Sequence, residues 1–128
     1  MILDTSAILA VVFKEPGFDV VLGKVATADA IAIGAPTAAE AAIVLEARLG
    51  ANGKGTMLRL LDEWQIEVVP FGNEHWKEAA EAYARFGRGR HKAALSFGDC
   101  LTYSVAKLAD QPLLSVGDDF SKTDLRLA

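Results

Sequence analysis

Short apolar segments alternate with longer helical segments along this sequence, and that alternation limits the folds available to it. The apolar segments are residues 1–3, 30–33, 66–69 and 112–116, and we predict a strand for each. Helical spacing of apolar residues predicts helices over residues 5–13, 16–28, 37–49, 55–64, 73–86 and 98–109. Strands that alternate with helices form a parallel sheet with helices on both faces. The expected fold is α/β, a three-layer α/β/α sandwich with a mainly parallel sheet.

Three residues at the predicted helix boundaries add detail to this fold. Pro16 is expected in the first turn of the second helix, where proline is favoured. Gly50 is a typical residue after the end of the third helix. Asn73 is the expected N-cap of the fifth helix.

Length and composition predict one domain that covers residues 1–128. A chain of this size buries roughly two thirds of the surface of its unfolded form, and 52% of its residues are hydrophobic. The one cysteine, Cys100, cannot form an intramolecular disulfide and indicates a reducing compartment. Residues 1–4 lack the basic start of an export signal, and no apolar run approaches the roughly 20 residues of a membrane span. We therefore expect a cytoplasmic protein with no membrane association.

The chain is acidic overall but basic in one short segment. Its formal net charge is −4, which by itself argues against a nucleic-acid binder, because phosphate contacts come from lysine and arginine. Residues 85–92, however, read Arg-Phe-Gly-Arg-Gly-Arg-His-Lys. This segment is either a solvated loop or a phosphate contact, and charge alone favours the loop. If the segment contacts RNA, Arg90 and Lys92 are the candidate residues.

Acidic residues follow two of the predicted strands. Asp4 comes directly after the first strand, and Asp118 and Asp119 follow the last strand through Gly117. Asp4 could simply cap the next helix, and paired acids in a turn usually only shape the turn. In open α/β sheets, however, functional sites lie beyond the carboxyl ends of the strands. A structural and a functional interpretation therefore stay open for each acid.

Two further acids lie near the starts of predicted helices. Glu40 shares a helical face with apolar residues such as Ile43, yet it also completes a capping box that begins at Thr37. Asp99 follows Ser96 at the same spacing, so it too could cap its own helix. Neither position alone decides between capping and function.

Taken together, the acids predict a metal site, because the expected fold brings them to one edge of the sheet. Neighbouring carboxylates repel one another unless a cation neutralises them, and ligands that are all oxygen suit Mg²⁺ or Mn²⁺ better than zinc. His75, His91 and Cys100 do not have the spacing of a zinc site, and no Cys/His or Ser/His/Asp nucleophile motif is recognisable. Such a centre could hold a phosphodiester and activate water for in-line attack. The expected catalytic acids are Asp4, Glu40, Asp99 and one of the Asp118-Asp119 pair.

Five ordered blocks of this sequence resemble the PIN-domain nucleases, and specifically the VapC-type toxins of prokaryotic toxin–antitoxin pairs. The first block is Ile-Leu-Asp-Thr-Ser-Ala at residues 2–7, and the fourth is Leu-Ser-Phe-Gly-Asp-Cys at residues 95–100. The others are residue 40 with 43–50, residues 83–91, and residues 112–114 with 117–120 and 123–124. These blocks cover nearly the whole chain at similar spacing, which makes the resemblance specific.

The resemblance implies a PIN-like fold and a Mg²⁺- or Mn²⁺-dependent endoribonuclease that cuts RNA such as transfer or ribosomal RNA. It also implies a homodimer that a cognate VapB-type antitoxin holds inactive. Carried over by position, Asp4, Glu40 and Asp99 match the three principal acids of the family. Ser6 matches the small hydroxyl residue that supports the first of these acids.

The fourth acid of the family could correspond to either of two residues in this sequence. Asp118 best fits a metal-site acid just past the last strand, whereas Asp119 belongs to a recurring Gly-x-Asp-Phe pattern. Both stay candidates, with Asp118 as the expected fourth metal ligand. The RNA target, the cleavage position, the antitoxin and the number of metal ions do not follow from the sequence.

Three other functions compete with a nuclease. A haloacid-dehalogenase-type phosphatase needs a second aspartate two residues after the first, and that position is Ser6. A receiver domain needs an acceptor aspartate at the end of its third strand, where this chain has Val68-Val69-Pro70. A non-catalytic PIN-like module that only binds RNA or a partner would not need every acid, but the sequence leaves it open.

Overall fold

The computed structural model describes residues 1–128 and places four short strands in one sheet. The strands are β1 (Ile2–Leu3), β2 (Ala32–Gly34), β3 (Glu67–Val69) and β4 (Leu113–Leu114). Their order is β3-β2-β1-β4, and every neighbouring pair is parallel. The carboxyl ends of all four strands therefore meet at one edge of the sheet. This arrangement confirms the predicted parallel sheet.

Six α-helices connect and cover the strands. They are α1 (Thr5–Val12), α2 (Phe18–Thr27), α3 (Ala35–Leu49), α4 (Gly53–Glu63), α5 (Asn73–Phe86) and α6 (Phe97–Ala109), with a 3₁₀ turn at Gly50–Asn52. Every predicted helix is present, and its boundaries lie within two residues of the prediction. None of the helices combines the length with the apolar character that crossing a membrane requires.

Two local predictions at helix starts are wrong. Helix α2 begins after Gly17, whose φ of +96° turns the chain, so Pro16 precedes the helix instead of lying in its first turn. Helix α5 has Gly72 as its N-cap, and Asn73 is already helical. The Asn73 Oδ1 instead accepts a hydrogen bond from Nε1 of Trp76 at 2.9 Å. In both cases the residue immediately before the helix is a glycine.

Adjacent residues of β1 point to opposite faces of the sheet, and this alternation divides the core in two. Leu3 packs against apolar residues of α1, α2, α3 and α4, whereas Ile2 packs against those of α5 and α6. Helices therefore cover both faces of the sheet. The predicted three-layer α/β/α sandwich is confirmed.

Phe120 and Asp124 attach the C-terminal segment to the layer formed by α5 and α6. Phe120 is buried. The Asp124 carboxylate accepts hydrogen bonds from Oη of Tyr103 at 2.7 Å and from Nζ of Lys107 at 2.8 Å. Arg85 lies 3.6 Å from the same carboxylate. Burial raises the pKa of Asp124, but these hydrogen bonds and positive charges outweigh burial and lower the pKa to about 2.

We expect Asp124→Asn to lower the free energy of unfolding by about 1 kcal/mol at pH 7, a small effect because the ion pairs are partly exposed. A carboxyl group whose pKa is depressed by folding stabilises the native state above its unfolded pKa of about 3.9. That contribution is lost as the pH falls through the folded pKa of about 2. Urea denaturation should show a difference between wild type and variant at pH 7 that shrinks below about pH 4.

The matched control is Asp62→Asn, which neutralises an exposed acid on α4. It should leave the unfolding free energy within roughly 0.5 kcal/mol of wild type at both pH values. A cost of Asp124→Asn that stays the same at pH 7 and pH 3 would contradict the electrostatic explanation.

Candidate active site

Asp4 lies directly after β1, at the carboxyl edge of the sheet, where it caps α1. Its Oδ2 accepts hydrogen bonds from the backbone N–H of Ser6 at 3.2 Å and from the Ser6 Oγ at 2.7 Å. The Ser6 Oγ in turn accepts a hydrogen bond from the backbone N–H of Val116 at 2.9 Å. Ser6 thus connects the Asp4 carboxylate to the segment that follows β4.

The Asp4 side chain is buried, although a carboxylate is costly to remove from water. Burial raises the pKa of Asp4, hydrogen bonds from Ser6 lower it, and the negative charge of Asp99 raises it further. Asp99 comes from the first turn of α6, so two carboxylates from distant parts of the chain lie close enough to repel each other. A cation between them would relieve this repulsion.

Glu40 approaches this region from α3. The Thr5 hydroxyl donates a hydrogen bond to the Glu40 Oε1. A Cβ atom at Gly98, the residue before Asp99, would lie 2.7 Å from the Glu40 Oε2. Glycine at position 98 therefore leaves the space that the Glu40 carboxylate occupies beside the start of α6.

The alternative role of Glu40 in a capping box is wrong. Helix α3 begins at Ala35 with Gly34 as its N-cap, so Thr37 already lies inside the first turn. The Thr37 hydroxyl is hydrogen-bonded to the hydroxyl of Thr102 at 2.9 Å instead of to the helix start. Glu40 is exposed and makes its side-chain hydrogen bond to another element of the fold.

Asp99 does form a capping box with Ser96. The Asp99 Oδ2 accepts a hydrogen bond from the backbone N–H of Ser96 at 3.0 Å, and the Ser96 Oγ accepts one from the Asp99 N–H at 3.2 Å. This capping uses Oδ2 and fixes the side chain at the helix start. The charge of Asp99 still raises the pKa values of Asp4 and Asp119, so capping and participation in the acid cluster occur together.

The structure distinguishes Asp118 from Asp119. Burial raises the pKa of Asp119, and the charges of Asp99 and Asp118 raise it further, whereas the positive charge of Arg88 lowers it. The backbone carbonyl of Asp118 accepts hydrogen bonds from the backbone N–H and the hydroxyl of Ser121, which is turn geometry. Asp119 therefore lies within electrostatic reach of both Asp99 and a basic side chain.

The chemistry of the cluster fits Mg²⁺ or Mn²⁺, because every acidic donor is a carboxylate oxygen. The carboxylates come from four places: after β1, from α3, from the start of α6 and after β4. They do not form a finished ligand shell, since no three His, Cys, Asp or Glu side chains are grouped closely enough to hold an ion. The cluster therefore has the donors of a metal site, and ligation would require side-chain rotation.

The basic segment 85–92 begins in the last turn of α5, and its members lie in different environments. The Arg90 guanidinium carbon is 5.9 Å from the centre of the Tyr83 ring, and Lys92 takes part in no ion pair. Arg88 is the member whose charge acts on Asp119. Arg90 and Lys92 stay the RNA contacts predicted from the sequence, and Arg88, which shares their basic segment, is the one whose charge reaches an acid.

The α/β/α sandwich and the carboxylates at the carboxyl edge of its sheet together define a class of protein. Known families and relatives show which class this is. The family model described as the PIN domain matches residues 1–125. Ribonuclease VapC36 of Mycobacterium tuberculosis is 47% identical over 126 residues, which cover 98% of this chain and 91% of the relative. The chain therefore belongs to the PIN-domain family. Within that family it belongs with the VapC-type members.

Solved structures share the fold at much lower sequence identity. VapC20 of Mycobacterium tuberculosis, described as a toxin that cleaves the sarcin-ricin loop, matches with a TM-score of 0.81 and 15% identity over 99% of this chain and 97% of that chain. VapBC2 of Rickettsia felis, solved with a DNA fragment from its promoter, matches with a TM-score of 0.78 and 16% identity over 99% and 96% of the respective chains. At these identities the similarity concerns the fold.

The contacts of Asp4 predict opposite effects of two substitutions on its pKa in metal-free protein. Asp99→Asn should lower the pKa of Asp4 because it removes a neighbouring negative charge, whereas Ser6→Ala should raise it because it removes a hydrogen-bond donor. The Asp4 carboxyl carbon can be followed by ¹³C NMR during a pH titration. Asp62→Asn serves as a control that should not alter the titration. An unchanged Asp4 titration in Asp99→Asn would show that the two carboxylates are not close.

Proposed function

We propose that residues 1–128 form a single nuclease domain, a metal-dependent endoribonuclease that hydrolyses RNA phosphodiester bonds with Mg²⁺ or Mn²⁺. The observation that supports this most is the position of Asp99, whose charge acts on both Asp4 and Asp119. These residues are far apart in sequence, yet the charge of one acts on the other two. Membership of the PIN-domain family and the ribonuclease name of a relative at 47% identity support the reaction class.

In this proposal Asp4, Glu40 and Asp99 hold the cation. When bound, the cation would neutralise the carboxylates and the substrate phosphate and lower the pKa of a water molecule. Ser6 holds the Asp4 carboxylate at the site through two hydrogen bonds, and Thr5 donates one hydrogen bond to Glu40.

We assign the fourth acid of the site to Asp119 and a turn role to Asp118. A carboxylate oxygen of Asp119 would accept a proton from the attacking water, and the raised pKa of this group makes it a stronger base. Arg88 would hold a phosphate oxygen near Asp119, since its charge already acts there. Arg90 and Lys92 would contact phosphates farther from the bond that is cut.

The proposal extends to the biological partners of the enzyme. A solved relative described as a toxin cleaves the sarcin-ricin loop, which supports transfer or ribosomal RNA as the target class. Another solved relative is a VapBC complex, which supports a cognate VapB-type antitoxin that holds this protein inactive. We also propose a homodimer that acts in the cytoplasm, where these RNAs are found.

Metal removal and Asp4→Asn should each abolish RNA cleavage. Purified protein, freed of any antitoxin, should cut bulk RNA with Mg²⁺ or Mn²⁺ and stop in EDTA. Asp4→Asn should reduce the rate by more than about a hundred-fold, because even residues that only support metal ligands contribute 10–100-fold. The measurement is gel-resolved cleavage over time, with far-UV circular dichroism to verify folding.

Asp62→Asn is the charge-matched control and should cleave at the wild-type rate. Full cleavage in EDTA would refute the metal mechanism. If folded wild-type protein binds RNA but never cuts it under any of these conditions, the non-catalytic binding module is the correct function.

The assignment of the fourth acid predicts different effects for two neighbouring substitutions. Asp119→Asn should reduce the cleavage rate by about 10²-fold, in the range of general-base contributions, whereas Asp118→Asn should change it by less than about threefold. Both substitutions remove one negative charge from the same turn, so each controls for the general electrostatic effect of the other. Rates measured at saturating metal and equal RNA concentration provide the comparison. A larger loss in Asp118→Asn would return the fourth position to Asp118.

A further inference from the structure

Two threonines form a buried hydrogen bond between α3 and α6, two helices that also carry acids of the site. The hydroxyls of Thr37 and Thr102 are 2.9 Å apart, and each residue is only 2% exposed. Serine and threonine hydroxyls inside helices often bond to a carbonyl of their own helix, as the Ser104 hydroxyl does to the carbonyl of Leu101. Thr37 and Thr102 instead bond to each other across the interface between the two helices.

This hydrogen bond lies one helical turn from the place where Glu40 contacts α6. On α3, Thr37 precedes Glu40 by three residues, and residues at that spacing are neighbours on one face of a helix. On α6, Thr102 follows Asp99 at the same spacing, and Gly98 makes room for the Glu40 carboxylate. The hydroxyl pair and the Glu40 carboxylate therefore occupy adjacent turns of the interface between the helices.

The Thr102 hydroxyl also acts on Asp4. Burial raises the pKa of Asp4, hydrogen bonds from Ser6 lower it, and the charge of Asp99 raises it. A hydrogen bond from the Thr102 side chain lowers this pKa by a smaller amount. A hydroxyl has one proton to donate, whereas a carboxylate can only accept. With the Thr102 proton directed to Asp4, the Thr102 oxygen accepts a hydrogen bond from the Thr37 hydroxyl.

Stability alone does not require two hydroxyls at this position. Removal of a hydroxyl from water is unfavourable until it forms a hydrogen bond, and the net gain from such a bond in a folded protein is small. Valine has the shape of threonine without the hydroxyl, so that replacing both partners by valine would be nearly neutral for stability. A satisfied pair of polar side chains, by contrast, rigidifies a buried interface and specifies which atoms meet there.

We propose that Thr37 and Thr102 are positioning residues of the acid cluster. Their hydrogen bond holds α3 against α6 and thereby keeps Glu40 and Asp99 close enough to bind one cation. This inference rests on the proposed metal-dependent activity and adds to it two residues that touch neither the cation nor the RNA. Residues that orient metal ligands from outside the ligand set contribute about 10–100-fold to metal affinity or activity.

Binding of Mn²⁺ in the absence of RNA tests this role, because it does not depend on cleavage. Thr37→Val removes the hydrogen bond between the helices but leaves the Thr102 proton available to Asp4. Isothermal titration calorimetry should show that Thr37→Val binds Mn²⁺ roughly tenfold more weakly than wild type. Thr37→Ser retains the hydroxyl and should bind Mn²⁺ as wild type does. Circular dichroism verifies that each variant is folded.

Cleavage provides a second measurement of the same effect. Because Thr37 acts only through the position of other residues, Thr37→Val should need roughly tenfold more Mn²⁺ for half-maximal cleavage. At saturating Mn²⁺ its rate should return to that of wild type. A change in the Mn²⁺ requirement without a change in the maximal rate distinguishes positioning from a direct catalytic role.

Three further variants serve as controls. Asp4→Asn should abolish the calorimetric signal, which would show that the measured ion occupies the acid cluster. Ser104→Ala removes another buried hydroxyl of α6, one that is bonded within its own helix, and should leave Mn²⁺ affinity unchanged. Thr37→Ala removes the same hydroxyl as Thr37→Val with a side chain that favours helices, and it should weaken Mn²⁺ binding to the same extent.

Three outcomes would overturn the positioning role. The first is wild-type Mn²⁺ affinity in folded Thr37→Val, and the second is an equal loss of affinity in Thr37→Ser or in Ser104→Ala. The third is failure of both Thr37→Val and Thr37→Ala to fold, which would show that the hydroxyl supports the fold as a whole. Wild-type protein that binds Mn²⁺ but never cuts RNA would refute the nuclease and leave the positioning role intact, so the two proposals fail separately.

Discussion

The burial of β1 between two cores is the constraint on which the rest of the site depends. This strand has two residues, Ile2 and Leu3, and each belongs to a different apolar layer. β2 and β4 pair with it on both sides, and the chain leaves β1 at the carboxyl edge of the sheet. Asp4 is fixed there by a hydrogen bond from its N–H to the Leu114 carbonyl at 3.0 Å. Its carboxylate lies near enough to Asp99 for the negative charge of Asp99 to raise its pKa.

The repulsion between Asp4 and Asp99 raises the question of how an acidic protein could bind RNA. RNA is a polyanion and would be repelled by carboxylates grouped at one edge of an acidic protein. In the proposed mechanism a divalent cation would reverse the local charge, so that the acids which oppose substrate binding would become the ligands that make it possible. Arg88 would act in the same direction, because its charge lies near Asp119.

The sequence predicted the fold well, because alternating apolar and helical segments leave few ways to cover both faces of a parallel sheet. It predicted the site less well where the outcome depended on the exact start of an element. The interpretation of Glu40 as part of a capping box is wrong because α3 begins at Ala35, two residues earlier than expected. Asp118 and Asp119 could not be distinguished because they are adjacent in a turn whose path follows from Gly117, with a φ of +99°. The folded chain adds that the charges of Asp99 and Arg88 act on Asp119.

The first turn of α6 brings two of the carboxylates together. Asp99 is held by capping, and Gly98 gives space to the Glu40 carboxylate. A side chain at position 98 would displace that carboxylate, because its Cβ would lie 2.7 Å from the Glu40 Oε2. The same turn therefore fixes one acid and admits a second, which is the arrangement that the proposed cation requires.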